Sequence, residues 1–106
     1  MREIEKLYKN AGVGYLTYVI DTFPPVEYPQ IDFTAEKQLE LIKLLSQQCD
    51  LAISYFGEWE FIHFDGQEST QITGKDFTET FAKLINAYWK NLADEEKAKI
   101  KEILNG

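Results

Sequence analysis

The sequence predicts an α+β fold, in which a small antiparallel sheet packs with two main amphipathic helices and with short terminal helices. Two long segments, 34–48 and 77–92, repeat apolar residues at helical spacing. Runs of β-branched and aromatic residues at 15–20 and 51–64 are instead typical of strands. The sheet is expected to consist of a central β-hairpin plus an N-terminal strand. At 106 residues the chain has the usual size of one domain, which we place at 1–106.

The N-terminal third predicts a helix, a strand and a loop. Residues 2–10 form the helix, with one apolar face and Gly12 as its stop: Ile4, Leu7, Tyr8 and Ala11. The strand is YLTYVI, residues 15–20. Three prolines then follow within six positions, at 24, 25 and 29. Since proline has no backbone N–H to donate to a sheet, we expect residues 21–32 to be an extended loop.

The middle of the chain predicts a capped helix and a hairpin. Thr34 can cap a helix that runs to about residue 48. Strands at 51–56 and 59–64 are joined by Gly57-Glu58, which suits a two-residue type II′ turn. Residues 68–72 add a short third strand.

The C-terminal third predicts two helices. Asp76 and Glu79 form a D-x-x-E capping signature. The helix after it carries a long apolar stripe of Phe77, Phe81, Leu84, Ile85, Tyr88, Trp89 and Leu92. A last helix is expected at 94–104.

The charge balance restricts the class of partner. The formal net charge is -7, from 11 Lys and Arg against 18 Asp and Glu. Nucleic-acid binding and attachment to an anionic membrane both favour a basic surface, so we expect no direct nucleic-acid binding and no membrane. An acidic protein suits a basic protein partner, although negative charge also maintains solubility by itself. One cysteine, and no apolar run of signal-peptide length, indicate the cytoplasm.

No motif for catalysis, metal or cofactor binding is present in the sequence. Cys49 and His63 are the only residues of their types, and a lone residue of either type is more often structural. His63 and Asp65 lack further ligands for a metal site. We therefore predict no catalytic residue, no metal, no cofactor and no enzyme.

The hairpin is the feature that suggests a binding surface. With a two-residue turn, Phe56, Trp59, Phe61 and His63 share one face, and Glu58, Glu60 and Glu68 surround it. If the helices cover the opposite face, this aromatic face with its acidic rim is exposed. The predicted partner-binding residues are then Phe56, Glu58, Trp59, Glu60, Phe61 and His63. The alternative is that both faces are buried, by helices on two sides or by self-association.

The chain also resembles small uncharacterised proteins of bacteriophages and prophages. The matching segments are LYKNAGV (7–13), FTAEKQLELIKLL (33–45), FxxxFAKLINAYWKNL (77–92) and DEEKAKIKEIL (94–104). In such relatives Ser or Thr is expected before the last helix, where this chain has Ala93. The resemblance implies an accessory protein that binds host machinery, in the manner of anti-CRISPR and related anti-defence inhibitors.

The function expected from the sequence is therefore non-catalytic. The leading hypothesis is a phage or prophage accessory protein that binds, and inhibits, a host protein with a basic surface, such as a nucleic-acid-handling defence complex. A second hypothesis is a structural, self-associating domain, in which the hairpin or Tyr88 and Trp89 form a homodimer interface. A third is a small enzyme or ligand-binding domain with a pocket at His63 or Cys49.

Overall fold

A computed structural model describes residues 2–106 of the protein. In this part of the chain it has four α-helices and two antiparallel sheets, so the predicted α+β class is confirmed. The helices are α1 (Glu3–Ala11), α2 (Ala35–Gln48), α3 (Phe77–Tyr88) and α4 (Asp94–Asn105). The strands are β1 (Leu16–Ile20), β2 (Val26–Gln30), β3 (Asp50–Tyr55), β4 (Trp59–Phe64) and β5 (Ser69–Gly74). A short 3₁₀ helix, Trp89–Asn91, connects α3 to α4.

The helix ends follow the capping residues in the sequence. The Thr34 side chain accepts a hydrogen bond from the Lys37 amide at 3.2 Å, and Asp76 accepts one from the Glu79 amide at 2.9 Å. Gly12 ends α1 in the left-handed conformation, with φ of 73°. Ala93 precedes α4 and makes no side-chain cap. Thr34, Asp76 and Gly12 therefore act where the sequence places them, whereas Arg2 before α1 and Ala93 before α4 provide no side-chain cap.

The expected single sheet is wrong. The N-terminal strand β1 does not join the hairpin but pairs with β2, so that the chain has a two-stranded sheet β1–β2 and a three-stranded sheet β3–β4–β5. Strand β2 lies inside the segment that we expected to be a loop. Its Pro29 is tolerated because a two-stranded sheet leaves one side of each strand unpaired. We call the β1–β2 pair, residues 16–30, the ribbon.

The core lies between the helices and one face of the three-stranded sheet. Helix α3 packs on β4 and β5, while α1 packs along α3 and α4. Phe61, Phe81, Leu84 and Ile100 are fully buried in the resulting cluster. Polar contacts also join α1 to α3, since the Asn86 amide donates to the Glu3 carbonyl at 2.9 Å.

The ribbon lies outside this core. Every residue of β1 is exposed, and in β2 only Pro29 is half-buried. The radius of gyration is 14.7 Å, whereas a compact domain of this length has about 13 Å. The molecule is accordingly elongated, measuring 49 × 34 × 23 Å.

Candidate functional site

The hairpin turn is longer than the sequence suggested. Tyr55 pairs with Trp59, which leaves three residues in the loop and not two: Phe56, Gly57 and Glu58. Gly57 has φ of 77°, in the left-handed region that suits such loops. The two-residue turn was therefore wrong by one residue. Because side chains alternate along a strand, this shift changes which residues of β3 and β4 share a face.

The inner face of the hairpin is the one that α3 covers. Phe61 is completely buried, and its ring stacks on Phe81 with 5.6 Å between centroids. Trp59 meets Phe77 edge-on at 4.9 Å. His63 is 5% exposed and lies against Tyr88. The expected exposed aromatic face is therefore incorrect, because the helices cover this face and leave the other one open.

The six predicted partner-binding residues thus separate into two groups. Phe61 and His63 are in the core, and Trp59 is half-buried against α3. Phe56 and Glu58 are exposed at the tip of the hairpin, with Phe56 at 85% exposure, and Glu60 is half-buried on the opposite side of β4. Phe56, Glu58 and Glu60 remain accessible to a partner, whereas Phe61 and His63 do not.

The opposite face of the three-stranded sheet is the accessible one. We call it the outer face, and it consists of Asp50, Ala52 and Ser54 on β3, Glu60, Ile62 and Phe64 on β4, and Ser69, Gln71 and Thr73 on β5. Ile62 and Phe64, on the middle strand of this face, are 36% and 43% exposed. Glu60 lies beside them and accepts a hydrogen bond from Gln71 at 2.7 Å. The aromatic face could be exposed only if the helices covered the side of the hairpin that carries Ile62 and Phe64. The structure has the reverse arrangement, because α3 packs on the side of Phe61 and His63.

The charge around the outer face has one sign. No Lys or Arg occurs between Lys43 and Lys75. The same segment carries five acidic residues on the face or in its turns: Asp50, Glu58, Glu60, Asp65 and Glu68. The pKa of Asp65 is lowered, first by the backbone N–H of Glu68 and then by that of Gln67, which donate at 2.8 and 2.9 Å. The outer face is therefore an apolar strip surrounded by negative charge.

The ribbon is a second exposed apolar surface. It holds seven of the thirteen large hydrophobic residues that the described chain exposes most: Leu16, Tyr18, Val19, Ile20, Phe23, Val26 and Tyr28. Tyr18 and Tyr28 stack across the two strands with 5.6 Å between ring centroids. An apolar surface of this kind on a protein of this size is characteristic of an interaction site.

A small cavity brings Cys49 and His63 together. It measures about 130 Å³, and Tyr88 and Asp65 also line it. Burial, followed by the negative charges of Asp50, Glu96 and Asp65, raises the pKa of the Cys49 thiol to about 11. Since the thiolate is the reactive form, the thiol is a weak nucleophile at neutral pH. A pocket at His63 or Cys49 is the feature that the third hypothesis, a small enzyme or ligand-binding domain, requires, but the raised thiol pKa disfavours nucleophilic chemistry there.

The environment of His63 disfavours its charged form. Burial lowers the pKa of His63, and the carboxylate of Asp65 opposes this effect only in part. Its Nδ1 atom is buried and has no hydrogen-bond partner among residues 2–106. The same residues contain no group of three or more His, Cys, Asp or Glu side chains that could hold a metal ion.

A larger groove lies between the start of α2 and the end of α4. Its volume is about 480 Å³, and its lining includes Asp32, Lys37, Glu40 and Glu102. The Lys37 ammonium is already bound at one end, since it donates to the Leu104 carbonyl at 3.0 Å. The groove contains none of the residues that the sequence predicted as functional.

Comparisons of the chain with protein-family models, with curated proteins and with solved structures found no match. The resemblance to phage and prophage proteins therefore stays a prediction. Within residues 2–106, none of the helices combines the length and the apolar character needed to span a bilayer.

Proposed function

We propose that this protein is a non-catalytic binding protein whose outer face docks on a basic surface of another protein. The observation that carries this proposal is the combination of an exposed apolar strip with a single sign of charge around it. Ile62 and Phe64 supply apolar area to be buried, and Asp50, Glu58 and Glu60 favour a cationic partner.

The arrangement of charges over the molecule supports the same partner. The eleven Lys and Arg residues all lie in or next to the helices, and none lies in a strand. A basic partner therefore approaches the outer face without like-charge repulsion from this sheet. Opposite charges across an interface mainly accelerate association and exclude wrong partners.

The phage-type resemblance extends the proposal to the class of target. On that basis the partner is a host protein, such as a component of a nucleic-acid-handling defence complex, and binding inhibits it. A protein that handles nucleic acid offers the basic surface that the outer face requires. The acidic outer face itself is unsuited to phosphate.

The test is affinity capture from host lysate with a charge-matched pair of variants. Glu60→Lys/Glu68→Lys reverses two charges at the outer face, and Glu36→Lys/Glu40→Lys reverses two charges on the exposed side of α2. Both change the net charge equally. The proposal predicts a captured basic protein that the α2 variant retains, that the outer-face variant loses, and that dissociates as salt concentration rises. Capture of the same proteins by both folded variants would contradict it.

A further inference from the structure

Nothing in residues 2–106 covers the exposed apolar area of the ribbon. All five residues of β1 are exposed, and the apolar ones are Leu16, Tyr18, Val19 and Ile20. A two-stranded hairpin by itself is at best marginally stable in water, and independent stability needs three or more strands with an apolar face or packing against a helix. An additional strand would therefore stabilise the ribbon more than any other part of this fold.

The two free edges of the ribbon differ in how well they resist pairing. Strand β2 carries Glu27 and Pro29, a charge and a missing N–H, which are the usual protections of an edge strand. Strand β1, with the sequence LTYVI, has neither a charge nor a proline. The edge of β1 is thus the one that is open to another strand.

We infer that β1 pairs antiparallel with β1 of a second copy, around a two-fold axis at Tyr18, and forms a four-stranded sheet in the order β2–β1–β1–β2. In this register Leu16 lies opposite Ile20 of the second copy, Thr17 lies opposite Val19, and Tyr18 lies opposite Tyr18. Each pair is apolar, aromatic or β-branched, which are the cross-strand pairs that stabilise sheets. The inference concerns a different surface from the proposed function and does not depend on it.

Charge favours a second copy over the basic partner of the outer face. Strand β1 is uncharged, so it offers a cationic protein no opposite charge, and it offers its own copy no repulsion. The nearest acid, Asp21, lies opposite Tyr15 of the second copy in the antiparallel register. In a parallel pairing Asp21 would lie beside Asp21, which is unfavourable. An isologous two-fold contact of this kind closes at a dimer.

The experiment is sedimentation velocity on the full chain over a wide range of concentration. It compares wild type with two variants that place a positive or a negative charge at the proposed axis. As its concentration rises, the sedimenting mass of wild type is expected to increase from the chain mass of 12.3 kDa to twice that mass. Tyr18→Lys places two like charges opposite each other and is expected to be monomeric, as is Tyr18→Glu. An equimolar mixture of the two variants is expected to regain the dimer, because Lys then lies opposite Glu.

Phe23→Lys is the matched control. Phe23 is fully exposed between the ribbon strands, and its replacement adds the same charge without touching the β1 edge, so the dimer is expected to persist. Circular dichroism verifies that each variant is folded. A wild type that stays monomeric at all concentrations overturns the inference and leaves the β1 edge to a strand from a different protein. A Tyr18→Lys chain that still dimerises, or a mixture that stays monomeric, also overturns it.

Discussion

The two sheets of this protein use similar residues for different purposes. In the three-stranded sheet, Phe61 on β4 is fully buried under α3, between Phe77 and Phe81. In the ribbon, Tyr18 and Tyr28 stack only on each other, and each remains at least 40% exposed. Aromatic and β-branched content therefore predicts a strand but does not tell whether its surface belongs to the core or to an interface. The decisive difference is whether a helix covers the strand.

The largest expected effect comes from truncating an aromatic ring in each sheet. Phe61→Ala removes a ring from the core and is expected to lower the free energy of unfolding by about 3–5 kcal/mol. Phe23→Ala, at a fully exposed ring of the ribbon, is expected to change it by less than about 0.5 kcal/mol. Urea denaturation of dilute protein measures both, and equal losses would remove the distinction between the two sheets.

A second comparison uses glycines. An added Cβ at Gly74, at the end of β5, would collide with the Thr80 hydroxyl of α3. Gly74→Ala is therefore expected to destabilise the fold by about 1–3 kcal/mol, as overpacking does. Gly14 precedes the ribbon and has open space around it, so Gly14→Ala is expected to be neutral or stabilising by about 0.4–1 kcal/mol. Thermal or urea unfolding measures the stability of both variants. A Gly74→Ala protein as stable as wild type would contradict the close packing of β5 on α3.

The covered sheet should also respond to pH through His63. Its folded-state pKa lies below the ordinary value of 6.5, so the unfolded chain takes up the proton first as pH falls. The stability that depends on neutral His63 is present above pH 6.5 and is lost as pH falls from 6.5 towards the folded-state pKa. His63→Gln removes this titration. The urea midpoint of wild type is expected to fall more steeply than that of the variant between pH 7.5 and 5.5, and parallel pH profiles would contradict the buried neutral imidazole.

A stabilising change is expected in α4, because its N-cap residue makes no side-chain hydrogen bond to the first turn. Ala93→Ser gives the free amides at the start of α4 a side-chain acceptor and is expected to stabilise the fold by about 0.5–2 kcal/mol. The change should appear in the melting temperature of the whole core, because Ile100 and Leu104 of α4 are buried in it. Thr34→Ala is the control in the opposite direction, because it removes the existing cap of α2 and is expected to destabilise the fold.

The helices were predictable because their signals are local. Thr34 and Asp76 cap where the sequence places them, and Gly12 stops α1. The hairpin faces were not predictable in the same way, because β4 has apolar residues on both sides and Gly57 fits a two-residue or a three-residue loop. The second sheet was missed because Pro29 argues against a central strand, whereas the edge of a two-stranded sheet accepts it.

The candidate site was predictable only in part for the same reason. The sequence indicated the hairpin and its glutamates, and it located Phe56, Glu58 and Glu60 where they are accessible. The apolar part of the accessible surface is formed by Ile62 and Phe64, and it could be recognised only once the position of α3 showed which side of β4 is covered. The ribbon carries no charge pattern or motif, and its exposure is a property of the tertiary structure alone.

The central claim is that the stability of the fold depends on the three-stranded sheet under α3, whereas the ribbon lies outside the core. Hydrogen exchange of the native protein, followed residue by residue at low concentration, tests it directly. Amides of β4 and α3 are expected to exchange only through global unfolding, whereas amides of β1 and β2 exchange through local opening at a much lower free energy. Equal protection of the ribbon and of β4 in the dilute protein would contradict the account.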